Sequence, residues 1–167
     1  MATTTWEPIS TYTASSTQST ITFNSIPQTY KNLVLRGTVQ VTNGGSSYLT
    51  VRFNNSSGTT YDSIQFYGAG GNTGVSGGCY NAMSSTSFEI VGNQFQSYIH
   101  FPIEIELNNY TVSNKYKTAL LSARPGDNTS RYLVGQFRDT TAVSRIDIIC
   151  SAASIATGST FTLWGLA

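Results

Sequence analysis

The feature that most constrains this chain is the alternation of apolar and polar residues at every second position. Residues 101–107 read FPIEIEL, which places four apolar residues on one side and Pro102, Glu104 and Glu106 on the other. Successive side chains of a strand point to opposite faces, so this period predicts a β-strand with one buried face. Because Pro102 has no backbone N–H, we expect the strand to lie at a sheet edge or to bulge there.

The same period recurs along most of the chain. Segments 33–41 and 49–53 alternate in the same way, with Leu33, Leu35, Val39 and Val41, then Leu49, Val51 and Phe53, expected to face inward. Further strands are predicted at 6–13, 20–24, 63–67, 87–91, 116–123, 132–138, 145–150 and 160–165. No amphipathic helix of ordinary length is found. The pattern predicts an all-β, two-sheet antiparallel β-sandwich, jelly-roll-like, with about ten strands.

Length and charge limit the number of domains and the kinds of partner. The 167 residues fit an extended N-terminal arm and first strand over 1–18 and a single β-sandwich domain over 19–167. The formal charge is +1 with no basic cluster, which predicts no nucleic-acid partner. No stretch approaches the roughly 20 apolar residues of a membrane span, so we expect no membrane partner.

A glycine-rich stretch at 67–81, YGAGGNTGVSGGCYN, contains six glycines. No Gly-Lys-Ser/Thr follows it and no helix opens after it, so it does not fit a phosphate-binding loop. We interpret residues 68–80 as a long loop used for contact. The candidate interface residues in it are Gly70, Gly71, Asn72, Val75 and Tyr80.

The N-terminal segment supplies two further candidate interface residues, Trp6 and Tyr12. An extended arm could reach a neighbouring subunit, with Trp6 as its anchor. Deleting residues 1–10 is then expected to weaken binding to the assembly without unfolding the domain.

Few residues in the sequence are candidates for catalysis or metal binding. His100 is the single histidine, and neither a second His nor a Cys lies at metal-ligand spacing, so no metal and no cofactor are predicted. Glu104 and Glu106 would lie about 6–7 Å apart on one strand face, a spacing that paired carboxylates of a glycosidase could use. We interpret them as residues of a solvated face, predict no catalytic residues, and keep a glycoside-cleaving enzyme as a third hypothesis.

The cysteines and turns give smaller expectations. Cys150 ends an apolar strand and is expected to be a small buried hydrophobic residue, and a disulfide with Cys79 stays open. The sequence RPGD predicts a tight turn centred on Pro125 and Gly126. Gly58 is expected to supply a positive φ in the NNSSG turn.

Three stretches, STITFNSIPQTYKNLVLRG, YLTVRFNNSSGTTYD and SRIDIICSAASIATGSTFTLWGLA, carry a resemblance to a known family. Together they resemble the virion structural β-sandwich proteins of tailed bacteriophages, including those of cyanobacteria, whose modules also occur in tail fibres. The family more often has Tyr where this chain has Trp164. The matching residues are Ile21, Phe23, Ile26, Pro27, Tyr30, Leu33 and Leu35, then Arg52, Phe53, Asn54, Gly58 and Tyr61, then Gly158, Ser159, Leu163, Trp164 and Gly165.

This resemblance implies a virion structural protein and carries no catalytic residue across. Because the chain begins at a Met, has one domain and lacks coiled-coil heptads or repeats, we expect a capsid decoration (cement) protein at the capsid surface. Its expected partners are the major capsid protein and copies of itself, as a homotrimer. The alternative is a tail-associated or receptor-binding (tail fibre) protein that contacts host glycans through exposed Tyr side chains and the 68–80 stretch. Phe53 and Trp164 are expected to fill the core.

Overall fold

The computed structural model describes residues 5–42, 47–71, 74–92, 99–126 and 129–167. In this part of the chain there are twelve strands and no helix, which confirms the predicted all-β class. None of the described segments forms a helix able to cross a membrane. The strands are β1 (Trp6–Thr13), β2 (Thr20–Phe23), β3 (Asn32–Val39), β4 (Tyr48–Phe53), β5 (Tyr61–Gly71), β6 (Gly74–Ser85), β7 (Phe88–Gly92), β8 (Phe101–Asn108), β9 (Lys117–Gly126), β10 (Thr129–Phe137), β11 (Ile146–Ser151) and β12 (Thr160–Leu166).

The strands form two antiparallel sheets, as the sequence predicts for a β-sandwich. The large sheet has the order β1-β12-β3-β8-β9-β10-β5-β6, and the small sheet has the order β2-β11-β4-β7. Strands β1 and β6 are therefore the two edges of the large sheet. The first strand of the chain pairs with the last, from Trp6↔Leu166 to Thr13↔Thr160.

The core lies between the sheets and is built from the faces that the alternation assigns inward. The seven residues expected inward on β3, β4 and the link after β3 are buried, as are the four apolar residues of β8. Four rings, two from each sheet, pack edge-to-face or tilted at centroid distances of 4.8 to 6.4 Å. They are Phe53, Tyr61, Phe88 and Phe137.

The resemblance residues make several contacts with one another. Tyr30 lies against Gly165, where an added Cβ would come within 2.4 Å of its ring, so only glycine allows this approach. The Tyr61 hydroxyl accepts a hydrogen bond from the backbone N–H of Phe53 at 2.9 Å. The Asn54 side chain bonds the backbone of the segment before β11, donating to Ala142 O at 3.0 Å. These residues fix turns and packing.

Two local expectations about turns are wrong. Pro125 and Gly126 lie within β9, so the tight turn predicted to centre on them is not formed there. Among the described residues, positive φ in the NNSSG turn belongs to Asn54 and Asn55, at 52° and 54°, and not to Gly58. Asn tolerates this conformation because its short side chain bonds locally.

Two further expectations need correction. Strand β8 lies inside the large sheet between β3 and β9, but its pairing with β9 begins only at Ile103, so Pro102 has a strand on one side alone. Trp164 lies on the outer face of the large sheet and outside the core. It is half-buried there because Trp6 covers it, with the two ring centroids 6.4 Å apart.

Lys117 is a buried cation that ties two loops together. Its Nζ donates to the backbone oxygens of Val112 and Thr140 at 2.6 Å each, and lies within 3.3 Å of those of Lys115 and Asp139. Burial lowers the pKa of Lys117. The carbonyl oxygens replace the water that a buried ammonium loses, and so join the loop after β8 to the loop after β10.

Candidate interaction surfaces

Strand β5 is turned the opposite way from what its composition suggests. Its polar residues Ser63 and Gln65 face the core, and Gln65 is only 1% exposed. Its large apolar residues Ile64 and Phe66 point outward and are 49% and 50% exposed. Burying polar groups while exposing apolar ones opposes the hydrophobic effect, so this strand is the most informative element of the fold.

Neighbouring strands add to the same exposed apolar surface on the outer side of the large sheet. Directly opposed antiparallel residues share a face, and the register places Val134 beside both Leu120 and Ile64, and Tyr132 beside Phe66. We call this surface the apolar face. It consists of Ile64, Phe66, Met83, Leu120, Tyr132 and Val134.

Sequence reasoning missed the apolar face, although a signal was present. The segments 119–121 and 132–134, ALL and YLV, are apolar on both strand faces rather than alternating. Such continuous apolar runs are typical of strands buried on both sides. The sandwich core covers one side of β9 and β10, which leaves the other side uncovered in the single chain.

The polar residues that β5 turns inward meet a buried arginine. Arg131 on β10 donates through Nη1 to Gln65 Oε1 at 3.2 Å and through Nη2 to Gly92 O at 3.1 Å. The same guanidinium lies 3.6 Å from the Glu89 carboxylate. The Tyr80 hydroxyl donates to Glu89 at 3.0 Å. A charged group this deeply buried needs such partners to offset its desolvation.

This network closes one end of a cleft of about 550 Å³ between β6 and the outer face of the small sheet. The floor carries Tyr48, Thr50 and Arg52, which alternate with the buried residues of β4. Tyr80 lies on the β6 wall, and burial together with the Glu89 carboxylate raises its pKa to about 12, so it stays a neutral donor. We call this the hydroxyl cleft because serine and threonine side chains make up much of its lining. They are Thr50, Ser84, Ser85, Thr86, Ser87 and Ser151.

The predicted interface residues of the N-terminal segment lie on β1, at one edge of the large sheet. Trp6 is partly exposed, but its ring packs on Trp164 and under the Arg36 guanidinium, whose central carbon lies 4.8 Å from the ring centroid. Tyr12 is partly buried against the core. Residues 6–13 are therefore a paired edge strand, and residues 1–4 lie outside the described part of the chain.

The predicted residues of the glycine stretch lie at the opposite edge of the large sheet. The long loop expected at 68–80 is wrong, because Gly70 and Gly71 belong to β5 and the chain from Gly74 onward is β6. Val75 pairs with Gly70, and Tyr80 is the one of these residues that lines the hydroxyl cleft. Asn72 lies outside the described residues. Glycines carry no side chain and so hide the two-residue period, and only the 63–67 part of this strand pair was predicted from the sequence.

The residues considered for catalysis lie on open surface. Glu104 is held by Arg36, with Nε to Oε2 at 2.7 Å, on the outer face of the large sheet. Glu106 is its half-exposed neighbour on that face, and His100 is exposed. Within the described segments no three His, Cys, Asp or Glu side chains come together as a metal site would require.

The cysteines are both free, so the disulfide left open by the sequence is not formed. Cys79 is exposed on β6, and its register with Phe66 places it at the rim of the apolar face. Cys150 is buried, as predicted, and burial raises the pKa of its thiol to about 11.

Comparison with known proteins leaves the family open. No described protein family and no curated protein matches the sequence. Among solved structures, alginate lyase Aly36B aligns at 10% identity over 93% of this chain and 77% of its own, with a TM-score of 0.37. The marine PL-14 alginate lyase from Aplysia kurodai aligns at 12% identity over 84% of this chain and 70% of its own, with a TM-score of 0.33. Similarity this low carries no argument about activity.

Proposed function

We propose that this chain is a virion structural protein of a tailed phage, a capsid decoration protein without catalytic activity. In this role the apolar face packs against the major capsid protein and against copies of the chain in a homotrimer. The inverted orientation of β5 is the observation that carries the proposal, because it exposes Ile64 and Phe66 at the expense of buried polar groups. Exposed contiguous apolar surface on a small domain marks an interaction site.

The sequence supports the same role. The three stretches that resemble phage virion proteins contribute turns, core rings and the last strand, which are fold positions rather than reactive groups. With nine basic and eight acidic residues, the surface has little net charge to keep copies apart.

A matched pair of lysine substitutions tests the apolar face. Val134→Lys places a charge at its centre, and Thr38→Lys places the same charge on an exposed site of the same sheet, on β3. We expect Val134→Lys to convert the oligomer to a monomer in light scattering and to abolish binding to particles, with the circular dichroism spectrum of the folded chain unchanged. Thr38→Lys should do neither. If both variants assemble like the parent protein, the apolar face is not the interface.

The copy number per virion tests the location. Quantitative mass spectrometry of purified particles should give roughly hundreds of copies, near stoichiometric with the shell, because closed symmetry repeats one contact at every equivalent site. Absence from the particle would remove the virion role altogether.

The alternative location is the tail, as a tail-associated or receptor-binding protein that contacts host glycans. The hydroxyl cleft, with two tyrosines at its surface, is the observation that favours it. A tail location predicts a few to a few tens of copies in the same measurement, on the order of tail rather than shell symmetry.

A further inference from the structure

We propose that the hydroxyl cleft binds an acidic oligosaccharide, with a sugar ring on Tyr48 and the carboxylate of the sugar on Arg52. This inference gives the tail-associated alternative a ligand, but it rests on the small sheet and β6 and not on the apolar face. The two proposals can therefore fail separately.

The shape and lining of the cleft favour a sugar. Its volume of about 550 Å³ lies within the range of small-ligand sites. Tyr48 and Tyr80 are 37% and 38% exposed, so both side chains are accessible to a ligand. Sugars present apolar C–H faces and a rim of hydroxyls, which suit tyrosine rings and serine and threonine hydroxyls respectively.

The lack of a side chain at Gly92 leaves room for the Tyr48 ring. An added Cβ at Gly92 would lie 3.1 Å from Tyr48 Cδ1 and 2.2 Å from Glu89 Oε1. Gly92 thus lets the ring and the carboxylate approach the same strand end, and a larger residue at position 92 would displace one of them.

The charge around the cleft favours an acid over a neutral sugar. Arg52 forms no ion pair with any described residue, and its Nε donates to Thr86 O at 3.1 Å. The nearby carboxylates are already engaged, Glu89 by Arg131 and Asp147 by Arg145. The Arg52 guanidinium is therefore available to bind an anion. A carboxylate suits it because both groups are planar and can form two parallel hydrogen bonds.

The distance between Tyr48 and Arg52 sets the minimum length of the ligand. Tyr48 and Arg52 lie four residues apart on β4, about 13 Å at the usual rise of a strand. A single sugar cannot reach both, so the ligand is a di- or trisaccharide. A peptide fits less well, because Gln65 Nε2 donates to the Glu89 backbone oxygen at 2.6 Å and occupies the edge of β7 that an added strand would need.

Calorimetry with matched probes tests the inference. The acids are 3′-sialyllactose and the trimers of galacturonic, glucuronic and mannuronic acid; the neutral counterparts are lactose and the methyl esters of the trimers. We expect at least one acid to bind about tenfold more tightly than its counterpart, and Arg52→Gln to remove that difference. Tyr48→Ala should weaken both members of the pair.

Two variants serve as controls. Arg124→Gln removes an exposed arginine from the outer face of the large sheet, and Val134→Lys disrupts the apolar face. Both should bind the acid like the parent protein. Binding of no acid at millimolar concentration would overturn the inference, as would equal binding of acid and neutral probes, or an unchanged preference in Arg52→Gln.

Discussion

Gly135 shows how one residue in this fold is determined by the ring packed against it. It lies on the buried face of β10, and an added Cβ would come within 2.3 Å of Phe88 Cε1. Phe88 cannot move away, because Phe53 and Tyr61 hold it edge-to-face at centroid distances of 5.9 and 5.0 Å. Glycine is therefore required where the two sheets meet.

We predict that Gly135→Ala lowers the free energy of unfolding by about 1 to 3 kcal/mol through overpacking. Urea denaturation followed by fluorescence measures it. The matched control is Gly70→Ala on β5, where an added Cβ meets no atom within 4 Å and the stability should stay within about 0.5 kcal/mol. Equal stability of the two variants would contradict the packing described for Phe88.

The stability should also fall at alkaline pH because of Tyr61. Burial raises the pKa of Tyr61 to about 12, above its ordinary value of 10.0. The unfolded chain therefore gives up this proton first, so the stabilisation is complete below pH 10 and is lost as the pH rises toward 12. We expect this group to account for a loss of roughly 1 kcal/mol by pH 11 and about 3 kcal/mol in full at higher pH. Denaturation at pH 8, 10 and 11 checks it, and Tyr61→Phe should be less stable at pH 8 and show a shallower decline.

At the scale of the elements, β1 links the N-terminal segment to the domain more firmly than an arm would. Residues 6–13 pair with β12, and the Tyr30 hydroxyl donates to Glu7 at 2.9 Å. We predict that deleting residues 1–10 lowers the free energy of unfolding by about 1 to 3 kcal/mol, in contrast to the neutral effect that the sequence suggests. Thermal melting checks this.

Trp6→Ala provides the comparison, since it removes the ring contacts and keeps the strand. We expect a loss of about 1 kcal/mol, smaller than for the deletion. If the deletion variant melts at the temperature of the parent protein, β1 contributes little to the sheet in solution.

The sequence predicts a strand well where the alternation of apolar and polar residues matches the buried and exposed faces of that strand. Strand β1 begins and ends at the predicted residues, and β3, β4 and β8 face the core as their alternation indicates. Strand β6 was missed because its glycines show no period. The orientation of β5 could not be predicted, since Gln65 is satisfied by Arg131 and by the Glu89 backbone oxygen on distant strands.

The runs ALL and YLV indicate that β9 and β10 are apolar on both faces, but which residues make up each candidate surface could not be predicted, for the same reason. The hydroxyl cleft joins residues from Tyr48 to Ser151 that only the folded chain brings together. The apolar face takes its residues from two pairs of consecutive strands, β5–β6 and β9–β10, which become neighbours only through the pairing of β10 with β5. Local patterns indicate which residues share a strand face, but they do not indicate which strands become neighbours.

At the scale of the whole molecule, the two thiols report on folding and assembly together. We predict that a thiol reagent modifies one cysteine in the native monomer, Cys79, and both after unfolding, because Cys150 is buried with its pKa raised to about 11. In the assembled protein Cys79 should react more slowly, since it lies at the rim of the apolar face. Mass spectrometry of the labelled chain counts the sites. Equal rates in monomer and assembly would argue against burial of that rim.

The pairing of the first strand with the last has a consequence for how the protein is made. Strand β12 lies between β1 and β3, and β11 lies between β2 and β4, so the first four strands all need partners from residues 146–166. A chain emerging from the ribosome cannot complete either sheet until residues 146–166 have also emerged. Contacts this distant along the chain also make folding slow. Until β11 and β12 are available, the early apolar strands are exposed to pairing with other chains, which chaperone binding would prevent.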